Sequence, residues 1–110
     1  MDDRELESLA TDLESDRVER KESLASADKI RRAICAFAND LPNHEQPGVL
    51  FVGLDDKGNC IRLPVTDELL CKLSNIRSNV TPFPFIAVSK RTLRGCELAV
   101  VLVHPSGSPP

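Results

Sequence analysis

The chain has 110 residues, of which 41% are hydrophobic and 28% charged, and a formal net charge of −3; that suffices for one core in one small domain. No apolar run approaches the ~20 residues of a membrane span, and the acidic start Met1-Asp2-Asp3 has the wrong sign for a signal peptide, so a cytoplasmic protein with no membrane partner is expected. The charge is unevenly spread: residues 1–16 carry seven acids against Arg4 alone, a net of −6, and the remainder a net of +3, which favours modest, salt-sensitive contact with nucleic acid over the grip of a strongly basic protein.

Asp2 or Asp3 can cap a first helix with Leu6, Leu9, Leu13 and Ala10 on one face, and its acids lie where the helix dipole favours them. The stripe is thin, so this helix is expected to lie on the body. Residues 14–24 are polar with an extended alternation, which suggests an edge strand. If Val18 faces the core, parity turns Arg17, Glu19 and Lys21 to the opposite face. Ser26 can cap a second helix whose buried stripe is Ile30, Ala33, Ile34, Phe37, Ala38 and Leu41, and Pro42 prevents its continuation.

Gly48 to Gly58 organises the chain. Val49, Leu50, Phe51, Val52 and Leu54 form an apolar run that reads as a strand buried on both faces, ending abruptly in Asp55-Asp56. The Asp55-Asp56-Lys57-Gly58 segment is a turn, and Asn59 to Leu63 reads as the returning strand. Thr66 caps a third helix with Leu69, Leu73, Ile76 and Val80 buried, ended by Pro82 and Pro84. Phe85–Leu93 and Cys96–Val103 are two strands around a tight Arg94-Gly95 turn, the second apolar enough to be central. The expected organisation is an acidic helix over 1–13, a domain over 14–104 and a linker or truncated tail over 105–110.

Several chemistries have no motif. There is no Gly-x-x-x-x-Gly-Lys loop and no Gly-x-Gly-x-x-Gly, so no nucleotide motif is present. Cys35, Cys60, Cys71 and Cys96 form no Cys-x-x-Cys pair, and His44 and His104 lie at no zinc-ligand spacing from them, so all four read as small core hydrophobes or half-buried thiols. Two constellations remain. Glu14, Glu19, Asp55 and Asp56 could converge on a strand end as oxygen ligands for a divalent cation, with Arg20 and Lys21 beside a phosphodiester; acids at turns are otherwise simply solvated. Lys90, Arg91 and Arg94 crowd a hairpin tip, which suits phosphate contacts in a groove and equally suits solubility and edge protection.

Three motifs in order then carry a resemblance: Glu14, Glu19 and Lys21 in the spacing E-x-x-x-x-E-x-K, Ala36-Phe37-Ala38-Asn39, and the apolar run closing in Gly53-Leu54-Asp55-Asp56-Lys57-Gly58. Together they resemble the Schlafen AlbA-type domain over roughly residues 12–104. That resemblance implies an α+β fold with an Alba-like mixed sheet. The elements read above supply it in βαββαββ order, with about five strands packed with two helices plus the N-terminal helix. Bacterial relatives are described as DNA-binding or ATP-binding regulators. In animal Schlafens a three-acid cluster cuts transfer and ribosomal RNA with a divalent metal, which implies Mg²⁺ or Mn²⁺ on Glu14, Glu19 and Asp55, with Asp56 adjacent. Two departures stand out: Arg20 where relatives commonly have an aromatic, and a single Gly48 where they have Gly-Gly.

The expected function is therefore a DNA- or RNA-binding domain of a regulator, contacting nucleic acid through Arg20, Lys21, Lys90, Arg91 and Arg94. The alternatives are a metal-dependent endoribonuclease and a non-catalytic interaction module, such as a homodimer.

Overall fold

Val49 to Val52 form the middle of the molecule because their side chains are apolar in both directions. The structure, a computed structural model, describes residues 2–25, 27–39, 46–76 and 86–104. In chain order the elements are α1 (Asp3–Thr11), β1 (Val18–Lys21), α2 (Ala27–Asn39), β2 (Gly48–Val52), α3 (Asp67–Ile76), β3 (Ile86–Leu93) and β4 (Cys96–Val103). The four strands make one mixed sheet in the order β1-β2-β4-β3, with β1 parallel to β2 and the other pairs antiparallel.

The alternation of side chains along β2 and β4 divides the core in two. Leu50, Val52, Ala99, Val101 and Val103 point to the face covered by α2 and α3, where they meet Ile30, Ile34, Ala38, Leu73 and Ile76. Val49, Phe51, Leu98 and Val100 point to the other face, which α1 covers with Leu6 and Ala10. The expected thin stripe on α1 thus forms a real interface. Leu6 and Ala10 are buried, whereas Leu13 lies beyond the helix end and is 55% exposed.

Local chemistry fixes the helix ends. The Asp2 carboxylate accepts the Glu5 amide (2.9 Å) and caps α1, and Thr66 Oγ1 accepts the Leu69 amide (3.1 Å) and caps α3. Gly48 is required by a close approach: a Cβ there would collide with the ring of Phe37 on α2. The expected cap at Ser26 and the expected core positions Leu41, Val80 and Phe85 lie outside the described residues, as does 105–110.

Two expectations need correction. The described residues form four strands. Asn59–Leu63 makes only a single antiparallel bridge, Leu54 to Cys60, with the Ile61 amide donating to Gly53 O (2.9 Å). The physical reason is that β2 has β1 on one side and β4 on the other, leaving no free edge for a returning strand. Arg62 then turns the chain with φ 61, and Pro64 has no amide to offer a ladder. The cysteines also differ from the expectation. Cys60 and Cys96 form a disulfide, while Cys35 and Cys71 are free. Their separation of 36 residues carries no local signal; the fold brings the end of the aspartate turn to the start of β4. Among the described residues no helix is long and apolar enough to cross a membrane.

Candidate nucleic-acid interface

Two regions hold the residues singled out from the sequence, apart from Glu14, which lies in the turn ahead of β1. The first lies where the parallel strands β1 and β2 end. The Gly53 amide donates to Lys21 O (2.8 Å), so the chain leaving β2 passes beside the chain leaving β1. A cleft of about 190 Å³ is lined there by Arg20, Lys21, Glu22, Ser23, Lys29 and Asp56. The carboxyl ends of parallel strands, with a crossover helix starting beside them, are a general location for anionic ligands.

The burial pattern along Val18–Lys21 is the alternation expected from Val18: Val18 and Arg20 are buried, Glu19 and Lys21 half-buried. Lys21 Nζ pairs with Glu19 Oε1 at 3.2 Å. Arg20 shares the face of Val18, and its role is a correction to the expected phosphate contact. It borders the cleft, yet only 8% of it is exposed and its guanidinium is committed to the end of α1. Nε donates to Ala10 O (2.9 Å), and Nη2 donates to Leu9 O (3.1 Å) and Asp12 O (2.9 Å). A cation on the terminal carbonyls of a helix satisfies acceptors that have no intrahelical partner and complements the dipole.

The acids are placed as follows. Asp55 organises its own turn: Oδ1 accepts the amides of Asn59 (2.8 Å) and Lys57 (2.9 Å), and Oδ2 accepts the Asn59 side-chain amide (3.1 Å). The Asn59 amide is the main cause holding its carboxyl below the ordinary value; partial desolvation opposes this, and the Asn59 side chain, the Lys57 amide and the Lys57 charge add to it. Asp56 is exposed and lines the cleft. Glu14 is exposed in the turn before β1, its amide donating to the Asp12 carboxylate (3.1 Å). Among the described residues no group of three or more His, Cys, Asp or Glu side chains is placed to hold one ion. A divalent cation here would need water and substrate phosphate oxygens to complete its shell, as Mg²⁺ commonly does.

The second region is the β3–β4 hairpin. Leu93 pairs with Cys96 around Arg94-Gly95, and both turn residues have positive φ, 51 and 78. That is the backbone twist favoured between antiparallel strands, and it suits Asn-Gly better than a long side chain. Arg91 shares its face with Leu93, on the α1 side, and Lys90 lies on the opposite face, so the cations straddle the hairpin. Arg91 Nη1 meets Asp3 Oδ1 at 2.8 Å, Lys90 Nζ meets Glu97 Oε1 at 3.6 Å, and Arg94 Nε lies 3.9 Å from Glu7 Oε1 while 67% of its side chain stays exposed. Two of these three acids come from α1. The sequence carried a signal for this in its acidic start and basic body, but no spacing named the partners.

A larger groove of about 560 Å³, lined by Arg4, Glu5, Ser8, Leu9, Arg17, Gln46 and Pro47, shares no residue with either region.

A family model described as Schlafen, AlbA_2 matches residues 14–110. No curated protein matches the chain. Among solved structures, it is similar to the N-terminal domain of a protein from Nitrosomonas europaea named as related to RecG, an ATP-dependent DNA helicase. That match has 27% identity and a TM-score of 0.63, and covers 91% of this chain and 77% of that one. It is also similar in fold to the DIP2311 protein of Corynebacterium diphtheriae, at 18% identity and a TM-score of 0.58, covering 96% of this chain and 22% of that one. With the match running from just ahead of β1 to the last residue, the chain belongs to the Schlafen, AlbA_2 family, and α1 stands ahead of the matched segment.

Proposed function

We propose that this domain binds the sugar–phosphate backbone of DNA or RNA through Lys90, Arg91 and Arg94 of the β3–β4 hairpin, with Lys21 and Lys29 at the strand-end cleft as a second contact, and serves a regulator. The observation that carries the reading is the hairpin tip. Arg94 holds a left-handed backbone conformation that Asn or Gly adopts at lower cost, and it carries a largely exposed guanidinium there. Strain of this kind is retained where the side chain is used. The helicase-related name of the Nitrosomonas neighbour points the same way. Phosphate contacts of this type position a protein on nucleic acid without reading its sequence.

The test is a fluorescence-anisotropy titration of short DNA and RNA strands at low salt, with Lys90→Glu/Arg91→Glu/Arg94→Glu as the comparison. Binding that the triple reversal abolishes supports the reading. Absence of binding, or binding indifferent to the reversal, removes it.

A metal-dependent endoribonuclease is the second reading, favoured by Lys21, paired to Glu19, and Asp56 lining one cleft. Glu19 and Asp56 would then bind a Mg²⁺ or Mn²⁺ ion shared with substrate phosphate, with Glu14 and Asp55 nearby in sequence. Incubation of transfer RNA with either metal tests it. Cleavage lost in Glu19→Ala supports it, and cleavage that survives the substitution belongs to a contaminant.

A further inference from the structure

We infer that α1 is a built-in anionic competitor for the hairpin: Asp3 and Glu7 occupy, against Arg91 and Arg94, the positions that backbone phosphates take in the complex. The inference rests on the hairpin being the contact surface proposed above, and it concerns the regulation of that surface.

The geometry gives it content. Asp3 and Glu7 are one helical turn apart on the same face of α1, with Cβ atoms about 5–6 Å apart. Neighbouring phosphates on a nucleic-acid strand have a comparable spacing. Each acid meets a different arginine of the hairpin, Asp3 at 2.8 Å and Glu7 at 3.9 Å. Neither pair is needed to dock the helix. Burial of Leu6 and Ala10 and the three hydrogen bonds from Arg20 already do that, and exposed ion pairs add little to stability. The two carboxylates therefore act mainly on the electrostatics of the hairpin. They also come from outside the segment that matches the family model.

The helix need not leave for nucleic acid to bind. A strand approaching the hairpin must displace two carboxylates from two guanidinium groups, and the released acids then stand close to incoming phosphates. Both effects weaken binding and both fade as salt rises. The domain is thus set below the affinity its hairpin alone would have, and a cationic partner seated on α1 would release it.

The test compares wild type, Asp3→Asn/Glu7→Gln and Glu5→Gln in anisotropy titrations with a short DNA and a short RNA at low salt. Glu5→Gln removes one charge from the same helix without touching the hairpin, so it is the charge-matched control for the single variant Glu7→Gln, and Asp2 still caps α1. The double variant is expected to bind about tenfold more tightly, the change that breaking two exposed ion pairs would cost. Glu5→Gln should stay within about twofold of wild type, and the gain should vanish when Arg91→Glu/Arg94→Glu is added. Glu7→Gln alone, away from the helix start, should retain part of the gain. If the double variant binds no better than Glu5→Gln while wild type binds, the competitor is overturned and the proposed function stands. If neither protein binds, both readings fall. Binding by the double variant where wild type shows none supports both.

Discussion

Reduction of the Cys60–Cys96 disulfide perturbs the one covalent tie between the aspartate turn and the hairpin. A separation of 36 residues, put into the chain-entropy relation for cross-links, gives about 4 kcal/mol at 25 °C. For a 110-residue chain unfolding with an entropy of about 2.1 cal/mol/K per residue, that is a fall in Tm of about 17 °C. The assay is a pair of thermal melts followed by circular dichroism, with and without a dithiol reductant, repeated on Cys60→Ser. Alkylation under denaturing conditions should count two thiols in the oxidised protein, Cys35 and Cys71, and four after reduction. Four thiols in oxidised protein would refute the bridge. A bridge present by thiol count but worth less than about 1 kcal/mol would refute the entropic reasoning, and would mean that the unfolded chain already holds these segments together.

Arg20→Met should destabilise the fold by about 3 kcal/mol, measured by urea denaturation, because a buried cation serving three carbonyls is lost and the carbonyl of buried Ala10 is left without its donor; a change under about 1 kcal/mol would contradict the capping role. Arg94→Asn should raise stability by about 1 kcal/mol by relieving the left-handed backbone cost, while weakening nucleic-acid binding several-fold. Destabilisation by that substitution would contradict the turn geometry. Asp55 gives a pH dependence of known sign. Its carboxyl is held below the ordinary value in the folded state, so its contribution is present above the unfolded value near ~3.9 and is lost as pH falls through the folded one. Asp55→Asn should therefore flatten that part of the acid limb in urea midpoints measured across acid pH, and an unchanged limb would remove the turn from the account.

Much of the fold was legible because the physics is local. The apolar runs at Val49–Val52 and Leu98–Val103 are buried on both faces, and the parity argument from Val18 to Glu19 and Lys21 holds in the strand. Thr66 caps the helix it was expected to cap, and the Arg94-Gly95 turn lies where the spacing puts it. Long-range choices were not legible. Nothing near Asn59–Leu63 announces that both edges of β2 are taken, and nothing near Cys60 names Cys96. Arg20 is instructive: the same alternation that turns Glu19 outward turns Arg20 inward with Val18, and only the end of α1 explains why a cation is tolerated there. At the hairpin the cations were visible as a cluster. The Asp3–Arg91 contact spans 88 residues and depends on α1 packing across the sheet face, which no pattern in either segment encodes.

The most direct test of the central claim is the salt dependence of binding, measured for wild type and for Lys90→Gln/Arg91→Gln/Arg94→Gln on the same DNA duplex. If the hairpin contacts phosphates, the slope of log K against log salt should become shallower by about 0.9 for each contact removed, and affinity for the duplex should fall. Equal slopes and equal affinities in the two proteins would contradict the account.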